Sequence, residues 1–410
     1  MSILAKHSII KEDKSNILTI GIEAGKAKVN NPNVINATIG MMFDEEGNLF
    51  SFDSVNKTIS KLSNAEKFAY ASTPGSVEYH NALKHWIFQE YEEEILSNMH
   101  CGVIATPGGS GAISNTFSNY LNAGDKALLP NYMWGNYKQF LYENYCGYDT
   151  YLLFNEQGCF NLEDVKLKMQ QHKLSQNRVV IVINDPCHNP TGYTMSYSEW
   201  EGLVEEINNI SSDGTPVVLL YDMAYIDYDK RGLDATRQNI RLFQKFNESV
   251  MVILAFSGSK TLGLYGLRIG GQIALSKSKE DIVEFNKANK YSSRAKWSCP
   301  STLGMNTIVN IFSDKNNETS FKNELIDIRK ILISRANTFI EESKKVGLKT
   351  LPFDCGFFIS IPCDNPDEVY KKVASEDAYI IPLDGVVRVT LSAITLEECK
   401  RLPALIKKYI

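Results

Sequence analysis

Short apolar runs alternate with longer amphipathic stretches along this chain, a pattern that predicts an α/β protein with a mainly parallel sheet. Residues 179–183, 217–221 and 251–256 are apolar without polar alternation, as strands buried on both faces require. Residues 271–275 read as a further strand, and Val103, Ile104 and Ala105 as a short apolar run ahead of a glycine-rich turn. Helical spacing predicts helices over 198–208 and 234–246. Another starts at a Ser76 cap and runs to Glu94, with Val77, Leu83, Trp86, Ile87 and Tyr91 on its apolar face. A long helix is predicted over 323–345, stopped by Gly347. The tail then changes character. Strands over 357–361 and 386–391, with helices over 367–375 and 395–409, predict a smaller α+β domain joined by the N-terminal segment. The expected division is 45–310 for the large domain, and 1–44 with 311–410 for the small one.

Composition narrows the class. The chain has 410 residues, 43% of them hydrophobic, and a formal net charge of −5, which suits a globular protein with a large core. No basic half or long Lys/Arg block is present, so a nucleic-acid partner is not expected. The eight cysteines are scattered without a C-x-x-C pair, which predicts reduced thiols, a cytoplasmic setting and no metal site. The first twenty residues mix Lys6, Lys11, Glu12, Asp13 and Lys14 with short apolar pieces, unlike a secretory leader. No run reaches membrane-spanning length, so no membrane partner is expected either.

Candidate chemistry collects at strand ends. Lys260 follows the 251–256 run inside Ser257-Gly258-Ser259-Lys260-Thr261, and Arg268 comes eight positions later. A lysine at the exit of a core strand is costly to desolvate. Desolvation lowers an amine's pKa, which suits it to form a Schiff base with a carbonyl. The alternative is a glycine-rich turn that happens to carry a lysine. After 217–221 come Asp222 and Tyr225, and after 179–183 comes Asn184-Asp185-Pro186-Cys187-His188-Asn189-Pro190-Thr191-Gly192. Ligands of open α/β sheets bind at the carboxyl ends of strands, so these groups would converge on one crevice. Thr106-Pro107-Gly108-Gly109-Ser110-Gly111-Ala112 is either an anion site at a helix N-terminus or a tight strand-to-helix turn. Neither a Walker loop nor a G-x-G-x-x-G spacing is present there, so a single phosphate is expected in preference to a nucleotide.

Taken in order, these motifs resemble the class I aminotransferases of the fold-type I pyridoxal 5′-phosphate (PLP) superfamily, and most closely aspartate and aromatic aminotransferases. The resemblance runs from about Val34 to the C-terminus. It implies an α/β fold of PLP-dependent transferase type I: a mainly parallel seven-stranded sheet between helices, plus a smaller α+β domain. It also implies ping-pong transfer of an amino group between an L-amino acid and a 2-oxo acid such as 2-oxoglutarate.

On this resemblance Lys260 carries PLP and moves the proton, and Asp222 pairs with the pyridinium nitrogen so that the ring becomes an electron sink. Asn189 and Tyr225 hold the phenolic oxygen. Gly109, Ser110, Ser257 and Arg268 hold the phosphate, and Trp134 stacks on the ring. Tyr70 reaches the phosphate of a second subunit, which implies a homodimer with shared sites. Arg388 takes the substrate α-carboxylate, Arg294 the distal carboxylate of a dicarboxylic substrate across the dimer, and Gly40 belongs to a segment closing over substrate. Lys287, Lys290 and Lys296 lie near Arg294, so a solvated basic face is the competing reading there. Two positions depart from the family pattern. Tyr137 and Asn184 stand where aspartate aminotransferases usually have histidines supporting the ring-binding aspartate. A PLP-dependent lyase or decarboxylase on the same fold, and a non-catalytic PLP-binding regulator, are the alternative functions.

Overall fold

The computed structural model describes residues 3–9, 11 and 17–410. In it, the three unbroken apolar runs form the middle of a seven-stranded sheet. In chain order the strands are β1 (His100–Thr106), β2 (Lys126–Pro130), β3 (Gly147–Tyr151), β4 (Val179–Asn184), β5 (Val217–Asp222), β6 (Val250–Ser257) and β7 (Gly270–Ser276). Their spatial order is β1-β7-β6-β5-β4-β2-β3. Every pairing is parallel except those of β7, which runs antiparallel to both β1 and β6. Every residue of β4, β5 and β6 is buried, and strands covered on both faces have no reason to alternate.

Register brings the polar strand ends to one edge. Asn184 pairs with Asp222, and Asp222 with Ala255. Ser257 and Thr106 both pair with Gly270, from opposite sides of β7. Gly270 is required there: a Cβ would lie 2.3 Å from the Phe256 carbonyl oxygen and 2.6 Å from the Gly108 carbonyl carbon.

The helix expected from Ser76 to Glu94 is broken. Ser76 Oγ does cap the Tyr79 N–H at 3.2 Å, but the helix ends at Phe88, followed by a 3₁₀ turn and a second helix, Glu92–Asn98. Gln89 has φ +48, and its side-chain amide donates to the carbonyls of His85 and Trp86, adding to the bonds that close the helix end. The 234–246 helix likewise divides into Leu233–Arg241 and a 3₁₀ turn at Leu242–Lys245. The long helix spans Lys315–Lys345 and so begins well before residue 323. Its polar first turns carry no apolar stripe, but Asp314 Oδ1 accepts from the N–H groups of Asn316 and Asn317 and caps it.

The chain forms two compact units: Leu49–Ser334 with Pro352–Phe358, and Met1–Asn48 with Arg335–Leu351 and Ile359–Ile410. Residues 1, 2, 10 and 12–16 of the expected N-terminal segment lie outside the described residues. The expected boundary near 310 differs from this division, which falls inside the long helix. In the smaller unit Ile35–Asn36 pairs with Ala378–Tyr379 in parallel, joining the N-terminal segment to the tail. Arg335, fully buried there, donates to Glu45 at 2.6 and 2.8 Å and to the carbonyls of Phe43 and Ser392. Among the described residues no helix is long and apolar enough to cross a membrane.

Candidate active site

Lys260 stands on a four-residue helix, Gly258–Thr261, that leaves β6 directly. Two hydrogen bonds fix this turn: Tyr228 Oη donates to the Lys260 carbonyl (2.8 Å), and Thr261 Oγ1 to Asp227 Oδ2 (2.6 Å). Asp227 is itself held by Arg237 at 2.7 Å in a fully buried ion pair, so the lysine's backbone rests on a rigid polar network. The Lys260 ammonium lies 5.1 to 5.7 Å from the ring centroids of Tyr265, Tyr225 and Phe357. Aromatic faces attract the amine in its charged form. Phe357 is there because its segment packs on the 189–192 turn, where the N–H groups of Asp354 and Cys355 both donate to the Gly192 carbonyl. The strand expected from 357 in fact begins at Phe358, and Phe357 belongs to the larger unit.

Asp222 ends β5 with its carboxylate buried. Tyr137 Oη donates to Oδ2 at 2.5 Å, and the Ala224 N–H to Oδ1 at 3.2 Å. Desolvation outweighs these bonds and the nearby Lys260 charge, so the carboxyl pKa is pushed up to about 6. Ionisation of so costly a buried carboxylate is strongly favoured by an adjacent cation, such as a protonated ring nitrogen. Asn184 braces the neighbourhood. Its Nδ2 donates to the Asp222 carbonyl at 2.9 Å, and its Oδ1 accepts the Asn189 N–H at 2.7 Å.

An anion cradle lies at the same edge. The helix Gly108–Tyr120 opens with Gly108, Gly109 and Ser110, so its unsatisfied N–H groups face outward. Arg268 closes the cradle. A Cβ on Gly108, whose φ is +71, would sit 2.8 Å from Arg268 Nη2. Arg268 Nη1 donates to Ser259 Oγ (2.9 Å) and to the Tyr265 carbonyl (3.0 Å). Ser257 reaches the same place, its Cβ standing 3.6 Å from where a Gly109 Cβ would be. Guanidinium, hydroxyls and a helix N-terminus form a donor set suited to a phosphate monoester. Together with Asp222 and Lys260, the residues present fit PLP.

The other sequence candidates fall in three places. Asn189 and Tyr225 are buried beside Asn184 and Lys260, and Trp134 is half-buried with its ring edge-on to Tyr137 at 5.5 Å. Tyr70 and Arg294 are exposed, and their segments adjoin: Thr73 Oγ1 donates to the Ser298 carbonyl, and Arg294 Nη1 to Ser298 Oγ. Lys287 and Lys290 are exposed, whereas Lys296 turns to Asn115 Oδ1 at 3.2 Å. Arg388 and Gly40 belong to the smaller unit, where Arg388 is buried and donates to the Thr38 carbonyl at 2.9 Å.

Sequence reasoning missed Ser259 as the group orienting Arg268, Phe357 as a neighbour of Lys260, and the Asp227–Arg237 pair under Thr261. A serine two residues from Ser257 was a usable signal. The other two arise from contacts distant in the chain and leave no local trace.

Comparison with known proteins agrees with this geometry. The family described as "Aminotransferase class I and II" matches residues 32–406. Aspartate aminotransferase of Salmonella typhi is 25% identical over 323 residues, covering 77% of this chain and 78% of the relative. An aminotransferase from Anaerococcus prevotii superposes with a TM-score of 0.95 at 28% identity, covering 100% of this chain and 99% of that one. The aromatic-amino-acid aminotransferase of Burkholderia pseudomallei, covalently bound to pyridoxal phosphate, shares the fold at a TM-score of 0.80 and 20% identity, covering 99% of each chain. A buried acid, a strand-end lysine and a phosphate cradle thus occur on the matching fold: the chain belongs to the class I and II aminotransferase family and is a PLP-dependent transaminase.

Proposed function

We propose that this chain exchanges the amino group of an aspartate-type or aromatic L-amino acid with a 2-oxo acid such as 2-oxoglutarate, in two half-reactions at one site. The observation that carries this reading is the convergence of Lys260, Asp222 and the Gly108–Arg268 cradle at one sheet edge. Bound PLP supplies the electron sink for the charge left when the substrate Cα–H bond breaks. Lys260 Nζ, in its neutral amine form, takes the proton that leaves Cα. Asp222, ionised at neutral pH, holds the ring nitrogen in its protonated form. Asn189 and Tyr225 hold the phenolic oxygen, Trp134 covers one ring face, and Gly109, Ser110, Ser257 and Arg268 bind the phosphate.

Substrate recognition is assigned to Arg388 for the α-carboxylate and to Arg294 for a distal carboxylate. The burial of Arg388 within an otherwise apolar strand, Val386–Thr390, supports the first assignment. The second is supported by the exposure of Arg294 next to the Tyr70 segment, as a site shared across a homodimer requires. A cytoplasmic setting is proposed from eight cysteines that are all free thiols.

The direct test mixes holoenzyme with each L-amino acid and follows loss of the visible band of lysine-bound PLP. Conversion by aspartate and glutamate is expected; ammonia release in its place would favour the lyase. Arg388→Ala is expected to raise KM for every amino acid about a hundredfold, since one charge-assisted pair is lost. An unchanged KM removes that role. Arg294→Ala is expected to weaken aspartate and glutamate at least about tenfold more than tyrosine or phenylalanine. Equal effects on both groups would make Arg294 structural.

A further inference from the structure

Two neutral side chains, a phenol and a carboxamide, surround the ring-binding acid. Tyr137 lies on the Asn136–Glu143 helix and is fully buried, and its Oη donates to Asp222 Oδ2 at 2.5 Å. Asn184, opposite Asp222 in the sheet register, ties the Asp222 carbonyl to the Asn189 N–H. Among the described residues, the titratable groups acting on this acid are Tyr137 and Lys260, the latter from the turn after β6, while Tyr151 from β3 and Tyr225 from the turn after β5 act on the Tyr137 phenol. Burial and the Asp222 charge hold the Tyr137 phenol well above its ordinary pKa, so it remains a neutral donor at any working pH.

We propose that Tyr137 is a positioning residue that keeps Asp222 ionised toward the PLP ring nitrogen, and that with Asn184 it forms a non-titrating clamp on that acid. The proposal rests on the reading that Asp222 meets the ring nitrogen. The phenol's hydrogen bond to the carboxylate is charge-assisted and stronger than any it makes with the neutral acid, so it favours the charged form. An imidazole in the same place would itself titrate near neutrality. Here the donor to Asp222 stays neutral, so the protein's contribution to the pH response of cofactor binding comes from Asp222 with no titrating partner at Tyr137. Asp222 and Asn189, assigned to the ring nitrogen and the phenolic oxygen, are also linked to each other through Asn184.

The test is the PLP dissociation constant of the apoprotein, measured from pH 5 to 9 in the native chain and in Tyr137→Phe. The cofactor phosphate titrates identically in both, so the displacement between the curves is the readout. The native affinity is expected to fall as pH drops through about 6. Without the phenol the acid is harder to ionise, and the limb moves up by about one pH unit. That makes Tyr137→Phe bind about fivefold more weakly near pH 6 and converge on the native curve above about pH 8. Superimposed limbs overturn the proposal. A double-mutant cycle guards against a merely structural effect: in an Asp222→Asn background, Tyr137→Phe should have no pH-dependent effect, and a persisting one also overturns it. No PLP binding by the native chain at any pH would overturn the reading of Asp222 along with it.

Discussion

Lys260→Ala lowers turnover by about 10⁴-fold or more, because it removes both the covalent attachment of PLP and the group that moves the proton at Cα. The aromatic rings of Tyr225, Tyr265 and Phe357 that stand beside Lys260 carry no amine to replace it. The fold should survive, since the turn is anchored through the Lys260 carbonyl and Thr261 Oγ1, and a side-chain truncation touches neither bond. PLP should still bind through the cradle and Asp222, but as free aldehyde, so the visible band of the lysine-bound form is lost. Steady-state turnover and the absorption spectrum check this together. A variant that turns over normally would end the mechanism proposed for this site.

Asp222→Asn should move activity and stability in opposite directions. Turnover is expected to fall by about 10²- to 10³-fold, because an amide cannot hold the ring nitrogen protonated. Stability of the apoprotein should rise. The folded-state pKa of about 6 lies above the ordinary aspartate value of 3.8, so ionising this buried acid costs the native state about 3 kcal/mol at neutral pH. The sign follows from linkage. A raised carboxyl pKa favours the fold below about pH 4, and that advantage is lost as pH rises through about 6. The asparagine never ionises and escapes the loss. Its melting temperature should exceed the native apoprotein's by a few degrees (about 3–8 °C) at pH 8, with the gap closing below about pH 4. Calorimetry at the two pH values decides the matter, and a variant less stable at pH 8 contradicts the desolvation argument. The acid is retained at a cost to stability, as functional groups often are.

Much of the fold was legible in the sequence, for reasons that particular elements make plain. The runs at 179–183, 217–221 and 251–256 could only be strands covered on both faces, and each ends in a residue with chemistry to do. Strand β7 was legible as a strand but not in its direction, which depends on its two neighbours. Helix starts were hardest where capping, not amphipathicity, decides them, as at Asp314. The break at Gln89 was hidden because the apolar face runs on to Tyr91 while the local capping bonds stop the helix.

By itself the sequence determined the chemistry available: a lysine after one core strand, an aspartate after the next, an asparagine turn after a third, and a glycine-rich helix start. These are local facts, set by runs of a few residues and the order of motifs. Tertiary structure alone decided how the groups act on one another. Tyr137 meets Asp222 across 85 positions of chain, Thr261 meets Asp227 across 34, and Phe357 reaches Lys260 only because its segment folds onto Gly192. Burial and hydrogen bonding depend on which elements pack together, and packing joins residues that no sequence window contains.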